Sequence, residues 1–347
     1  VSGIAADYDH CHRFSQPAGG PDHAKTGSQD PKGGIGMEAI KSFFATMYHN
    51  KQAFIGMIIL FFFLLQAVLG PLIIPLDMGT DFLNRYQGPS LQHPLGTDYV
   101  GNDLFQQIVH GTRSVLFIGL LASLFTVILG FALGALAGFA GGIVDKIISM
   151  VIQILISVPI FPIQLIIAVI FPVRNVLMLA VVLAVLSWAW LARNVRATIL
   201  SLKEREFVLV CRIMGLSQRH IIFKEILPNV MSYLASTFVL NTNSAIATSV
   251  GLMLLGMAPY EPTHWSIMLN NAAAQANSGM NTAGIFNMMV PTAAFVLLQM
   301  SLIFFANGLD EALNPRLRAS YKVRKKKNKK PTVGMNQKGG VSHANGQ

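Results

Sequence analysis

The chain has 347 residues, of which 52% are hydrophobic and 12% charged, and a formal net charge of +10. So apolar a composition lies outside the range of ordinary soluble domains and makes a membrane protein the first expectation. The basic residues gather between apolar blocks and at the end of the chain, which suits an anionic membrane leaflet and argues against nucleic acid as a partner. Two cysteines, Cys11 and Cys211, exclude a disulfide-rich secreted framework; they belong to no CxxC or Cys/His pattern and are expected as free thiols.

Residues 1–52 are expected to form a cytoplasmic leader. Up to about residue 36 it is rich in Gly, Pro, Asp, His and Lys and too poor in apolar periodicity to offset its ordering entropy, so it is expected to be disordered. No charged start precedes an apolar core there, so it does not read as a signal peptide, and Met37 is a candidate natural start. Six apolar blocks follow, at roughly 53–75, 114–140, 147–172, 176–192, 230–257 and 286–308, each near the ~20 residues that cross a bilayer as a helix.

After the first block, an extracytoplasmic segment over 76–111 contains His93, Asp98 and Asp103. Their spacing does not match compact zinc or calcium loops, whereas Gly96-Thr97-Asp98 and Gly101-Asn102-Asp103 have turn and capping chemistry. In the second block Gly130, Gly134 and Gly138 recur every four residues, a small face for close helix contact within this subunit or with a partner. Pro159 and Pro162 predict a kink in the third block, and kinks line cavities where freed carbonyls meet water. Trp188 and Trp190 close the fourth block, where indoles anchor at the interface.

The long basic stretch from Ser187 to Asn229 is expected as two short helices joined at Gly215, the second opened by Leu216-Ser217 and ending near Pro228. Such an amphipathic element either docks in a groove of a partner or lies on lipid headgroups. In the fifth block Asn241, Ser244 and Thr248 share one helical face by their spacing of three and four, which makes them candidates for a translocation path or for interhelical hydrogen bonding. A basic tail over 309–347, with the run Lys325 to Lys330, reads as solvated or lipid-binding.

Lys and Arg crowd the 193–229 loop and the tail but are absent from Ala258 to Ile285, so the positive-inside rule places both termini in the cytoplasm. None of the six blocks contains Asp, Glu, Lys, Arg or His, the marks of most ion-coupled carriers. No GxxxxGK(S/T) phosphate loop, HExxH, GxSxG or kinase signature occurs, so no residue is expected to be catalytic or to bind a cofactor or metal.

The loop resembles the EAA loop of binding-protein-dependent ABC importer permeases. That pattern places a Gly thirteen residues before the Pro of a Leu-Pro pair, as Gly215 and Pro228 stand here. Glu206, Arg212, Gly215, Leu216, Ser217, Leu227 and Pro228 are the positions carried over, while the Glu-Ala-Ala itself is replaced by Leu209, Val210 and Cys211. The segments HPLGTDYVGNDLFQQIVHGTRSVLFIG from His93, EPTHWSIML from Glu261 and ANGLDEALNPRLR from Ala306 are similar to the C-type subunit of oligopeptide and dipeptide permeases; SVGLMLLGMAP keeps only Leu255-Gly256 of a further family run.

The resemblance implies an all-α polytopic protein with six transmembrane helices and the type I ABC importer permease fold. Its permease domain would span 112–308, with 193–229 as the coupling loop. It further implies an inner-membrane location, a sister permease in a heterodimer, two ATPase subunits carrying ATP and magnesium, an extracytoplasmic substrate-binding protein, and peptide as cargo. Candidate path residues are Pro159, Pro162, Asn241, Ser244 and Thr248. The competing expectations are an importer for nickel or another small solute, and an ion-coupled secondary carrier.

Overall fold

The computed structural model describes residue 43 and residues 47–257, 259–276 and 282–313. The expected leader up to residue 42, Cys11 and the Lys325 to Lys330 run lie outside the described residues, as does the closing motif beyond Leu313. Among the described residues the regular structure is helical throughout, with one isolated bridge between Thr97 and Asp103. The long helices are α1 (Lys51–Ile73), α2 (Leu104–Ala140), α3 (Gly142–Ser157), α4 (Ile160–Ile170) and α5 (Val176–Leu202). They are followed by α6 (Glu206–Ile213), α7 (Leu227–Leu254), α8 (Trp265–Ala276) and α9 (Thr282–Leu313).

Short polar residues start these helices where the sequence leaves them. The Asn50 carboxamide oxygen accepts from the amides of Gln52 and Ala53, Asp103 from Phe105 and Gln106, and Asn175 from Met178, so orphan N–H groups of α1, α2 and α5 are met by side chains. Between α2 and α3, Gly141 and Gly142 both hold positive φ, a turn that β-carbons disfavour. Helix α2 runs for 37 residues, or about 55 Å at 1.5 Å per residue, and so projects beyond a hydrocarbon core of about 30 Å.

Close backbone approach organises the bundle. A β-carbon on Gly134 would lie 2.6 Å from the Ala192 carbonyl oxygen, one on Gly130 2.9 Å from Leu191, and one on Gly138 3.0 Å from the Arg196 carbonyl oxygen. The glycine stripe of α2 is therefore the seat of α5 inside this chain, where dispersion contacts hold helices that gain little from apolar burial in lipid. Gly56 does the same for α1 against Ser301 and Phe304 of α9. At their ends these two helices also meet through Asn50, whose Nδ2 donates to Glu311 at 2.7 Å. The central core joins Phe63, Leu104, Leu116, Ile246, Trp265 and Leu298 from five helices.

Among the described residues four helices are long and apolar enough to cross a membrane: α1, α2, α5 and the Ile285–Leu313 part of α9. The expected third span is not one helix. It breaks between Ser157 and Ile160, and α3 and α4 meet at 93°. Pro159 has no N–H to extend the ladder from α3 and instead sits at the start of α4, with Pro162 in its first turn, where missing donors cost nothing. The expected fifth span appears as α7, whose 28 residues suffice in length but whose Asn, Ser and Thr keep it less apolar than the other four. Trp188 is buried on Ile152 of α3, whereas Trp190 is exposed. Cys211 is fully buried against α2, α5 and α7.

Candidate functional site

The basic loop is a built element. Glu206 opens α6 and Arg212 lies in its last turn, each charge favourable to the helix dipole. The helix closes in a Schellman turn: Gly215 holds φ +75°, its N–H donates to the Arg212 carbonyl, and the Leu216 N–H reaches the Cys211 carbonyl at 3.1 Å. Ser217 then caps the next turn, Gln218–His220, by accepting from the His220 amide at 3.3 Å. The guanidinium of Arg212 stands 5.1 Å over the Phe139 ring of α2.

The second helix does not end near Pro228. It passes from Gln218–His220 through a π-helical segment, Ile221–Ile226, straight into α7. Pro228 cannot donate to the Lys224 carbonyl and its ring crowds it, so the ladder widens and the Leu227 N–H bonds to Ile222, five residues back. The Asn229 side chain then donates to the Glu225 carbonyl at 2.6 Å. Pro228 is thus absorbed within a continuous rod.

One face of this loop is welded to the bundle. Val208, Cys211, Ile221 and Ile226 pack with Phe131 and Phe139 of α2, Val195 and Ile199 of α5, and Val230 of α7, with Leu216 and Leu227 partly buried against them. The opposite face of α6 is apolar and open: Ile213 is 87% exposed, and Leu209, Val210 and Met214 are exposed beside it. At the same end Arg196 grips Asp145 in a bidentate pair, Nη2 to Oδ2 at 2.7 Å, and the Lys203 ammonium donates to the Gly138 carbonyl near the end of α2.

The second candidate is a cavity of about 240 Å³ inside the bundle, lined by Ala122 and Thr126 of α2, Ile160 and Gln164 of α4, Leu183, Ser187 and Trp190 of α5, and Asn241, Ser244, Ala245 and Thr248 of α7. The three polar residues of the fifth block come together on one wall, as their spacing requires. Pro159 and Pro162 are exposed and do not line it; they open the helix that delivers Ile160 and Gln164. Thr126, Gln164 and Ser187 were not singled out from sequence, and Trp190 was expected only as an interface anchor. An amide in an otherwise apolar α4 was the available signal for Gln164, since lipid penalises it.

At the opposite end of the bundle the loops are pinned by carboxylates. Asp98 accepts from the amides of Val100 and Asn102 and from the side chain of Gln107, while Asp103 caps α2 and meets His93 Nδ1 at 2.9 Å. Turn and cap roles fully occupy both. Tyr99 has its phenol pKa raised, chiefly by burial. His264 is fully buried before α8, and desolvation lowers its pKa to about 4, so the ring is neutral. It accepts from the Ser266 amide through Nδ1.

Residues 130–319 match the family described as binding-protein-dependent transport system inner membrane component, and residues 40–89 match the N-terminal transmembrane domain of oligopeptide transport permease C. A dipeptide transport system permease protein of Alkalihalophilus pseudofirmus is 31% identical over 280 residues, 80% of this chain and 90% of that protein. Its namesake from Bacillus subtilis is 31% identical over 78% of this chain and 83% of its own length. The oligopeptide transport system permease protein of Bacillus subtilis is 28% identical over 78% and 87%.

Proposed function

This chain belongs to the family of binding-protein-dependent transport system inner membrane components, and from that membership we propose that it carries peptides inward as the C-type half of a paired permease. It is a multi-pass permease subunit of an ATP-driven ABC importer, working with a partner permease and separate ATPase subunits. Di- or oligopeptide cargo is the reading that its relatives' names favour, over nickel or another small solute.

The observation that carries the mechanism is the two-faced loop. α6 presents Leu209, Val210, Ile213 and Met214 outward beside a turn fixed at Gly215, while its other face is locked to α2, α5 and α7. An exposed apolar helix face of this kind fits a groove on a partner. In this reading the partner is the ATPase dimer, which holds the ATP and magnesium. Its closure moves Glu206 to Ser217, and Leu227 and Pro228 pass the motion into α7. ATP binding biases the two access states, and this chain supplies lever and path.

The basic loop lies in the cytoplasm, with the ends of α1 and α9 beside it, and the 76–111 segment faces the binding protein outside. Anionic lipid surrounds the basic end. The test is reconstitution. Vesicles with the complete complex, ATP and binding protein should accumulate peptide, and vesicles holding this chain alone should not. Accumulation by the lone chain under an ion gradient would overturn the reading.

A further inference from the structure

The cavity between α2, α4, α5 and α7 has unspent hydrogen-bonding capacity. Gln164 is 2% exposed, and its Nε2 donates to the Leu183 carbonyl at 3.2 Å. A carbonyl can only accept, so this bond fixes the amide orientation with Nε2, not Oε1, toward the Leu183 carbonyl. That oxygen is buried without a partner, and so is the Nδ2 of Asn241 on the facing helix. Two orphan groups on one cavity are costly unless something meets them.

The remaining polar wall has a definite sense. Ser187 donates to the Leu183 carbonyl and Thr248 to the Ser244 carbonyl, so both hydroxyls have spent their hydrogens and offer only lone pairs. Among the described residues no Asp, Glu, Lys, Arg or His lines the cavity. The site therefore presents acceptors at Gln164, Ser187 and Thr248, donors at Asn241 and at the Thr126 and Ser244 hydroxyls, no formal charge, and an indole at Trp190. At about 240 Å³ it is far larger than the ~10–15 Å³ a single water needs.

We propose that this cavity is an amide-binding subsite for a peptide in transit, in which Gln164 Oε1 accepts a backbone N–H of the cargo and Asn241 Nδ2 donates to a cargo carbonyl. The proposal rests on the peptide-importer reading. It adds that this chain recognises the peptide backbone and is not a passive wall. A secondary amide carries one donor and one acceptor, complementary to the two orphans, whereas a charged side chain finds no counter-ion here.

The test uses the complete importer in vesicles with two cargoes, tri-alanine and its analogue methylated on the central peptide nitrogen. In the wild type, methylation should slow uptake about tenfold through this site, in addition to any loss at the binding protein. In Gln164→Leu, tri-alanine uptake should fall about tenfold and the methylation penalty should shrink by the same factor. The binding protein is common to both arms, so a changed penalty reports this chain. An unchanged penalty in Gln164→Leu, as a merely water-filled cavity gives, overturns the subsite while wild-type uptake leaves the importer reading intact. If Gln164→Leu does not fold, Asn241→Leu serves: it should lower uptake of both cargoes about tenfold, and wild-type uptake in that variant overturns the subsite. No uptake of tri-alanine by the wild-type complex overturns both proposals.

Discussion

Replacing Gly215 isolates the backbone of the loop from its contacts. A β-carbon built there meets nothing within 4 Å, so the added carbon clashes with no neighbour, and φ +75° is what resists it. For most L-residues that left-handed conformation costs roughly 1–2 kcal/mol, a factor of about 5–30 in the fraction of loops that hold the turn. Asn adopts the conformation with little penalty, whereas β-branched Val resists it most. Gly215→Asn should therefore keep peptide imported per ATP hydrolysed within about twofold of wild type in reconstituted vesicles. Gly215→Val should lower that ratio by about 5–30-fold, with membrane insertion and subunit assembly unchanged. Equal coupling in the Val and Asn variants would refute the claim that the turn's geometry transmits the stroke.

Three further outcomes follow from other contacts. Gly134→Ala should lower thermal stability by about 1–3 kcal/mol, because its new methyl faces the Ala192 backbone oxygen, whereas Gly130→Ala meets only the Leu191 side chain and should cost less; detergent melting curves compare them. His264 has a folded pKa near 4 against an unfolded value of about 6.5, so the unfolded chain binds the extra proton between these values. Stability should be undiminished above pH ~6.5 and fall by about 3 kcal/mol by pH ~4, and in His264→Gln that part of the slope should vanish from a pH series of melts. Asp145→Asn and Arg196→Gln should each loosen α3 from α5, and a double-mutant cycle should return a coupling of about 1 kcal/mol; additive losses would show that the pair is idle.

Much of the architecture is legible because lipid imposes a coarse rule, long runs without charge, and the apolar blocks obey it. The stop at Gly215 is legible for a similarly local reason, since left-handed backbone at a helix end selects glycine. Local rules fail where neighbours repair a defect. Pro228 reads as a terminus, yet the π segment and the Asn229 side chain satisfy the carbonyls it disturbs, and the rod continues. Pro159 and Pro162 announce a bend but not its 93°, which depends on how α4 seats against α5 through Gln164. The cavity was half visible: Asn241, Ser244 and Thr248 share one helix and one period. Thr126, Gln164, Ser187 and Trp190 come from three other helices, and nothing in their sequence spacing ties them together.

The continuity of the π segment with α7 makes that helix a shaft. Asn241, Ser244 and Thr248 lie 14 to 21 residues beyond Leu227, or about 20–30 Å along the axis. Torque applied at Ile221–Ile226 reaches them with no intervening joint, so a small roll at the basic end swings three polar side chains across the cavity together. The over-wide turn itself is the one place where the shaft can shift register, and a one-residue migration of that bulge would reindex the cavity wall by about 100°.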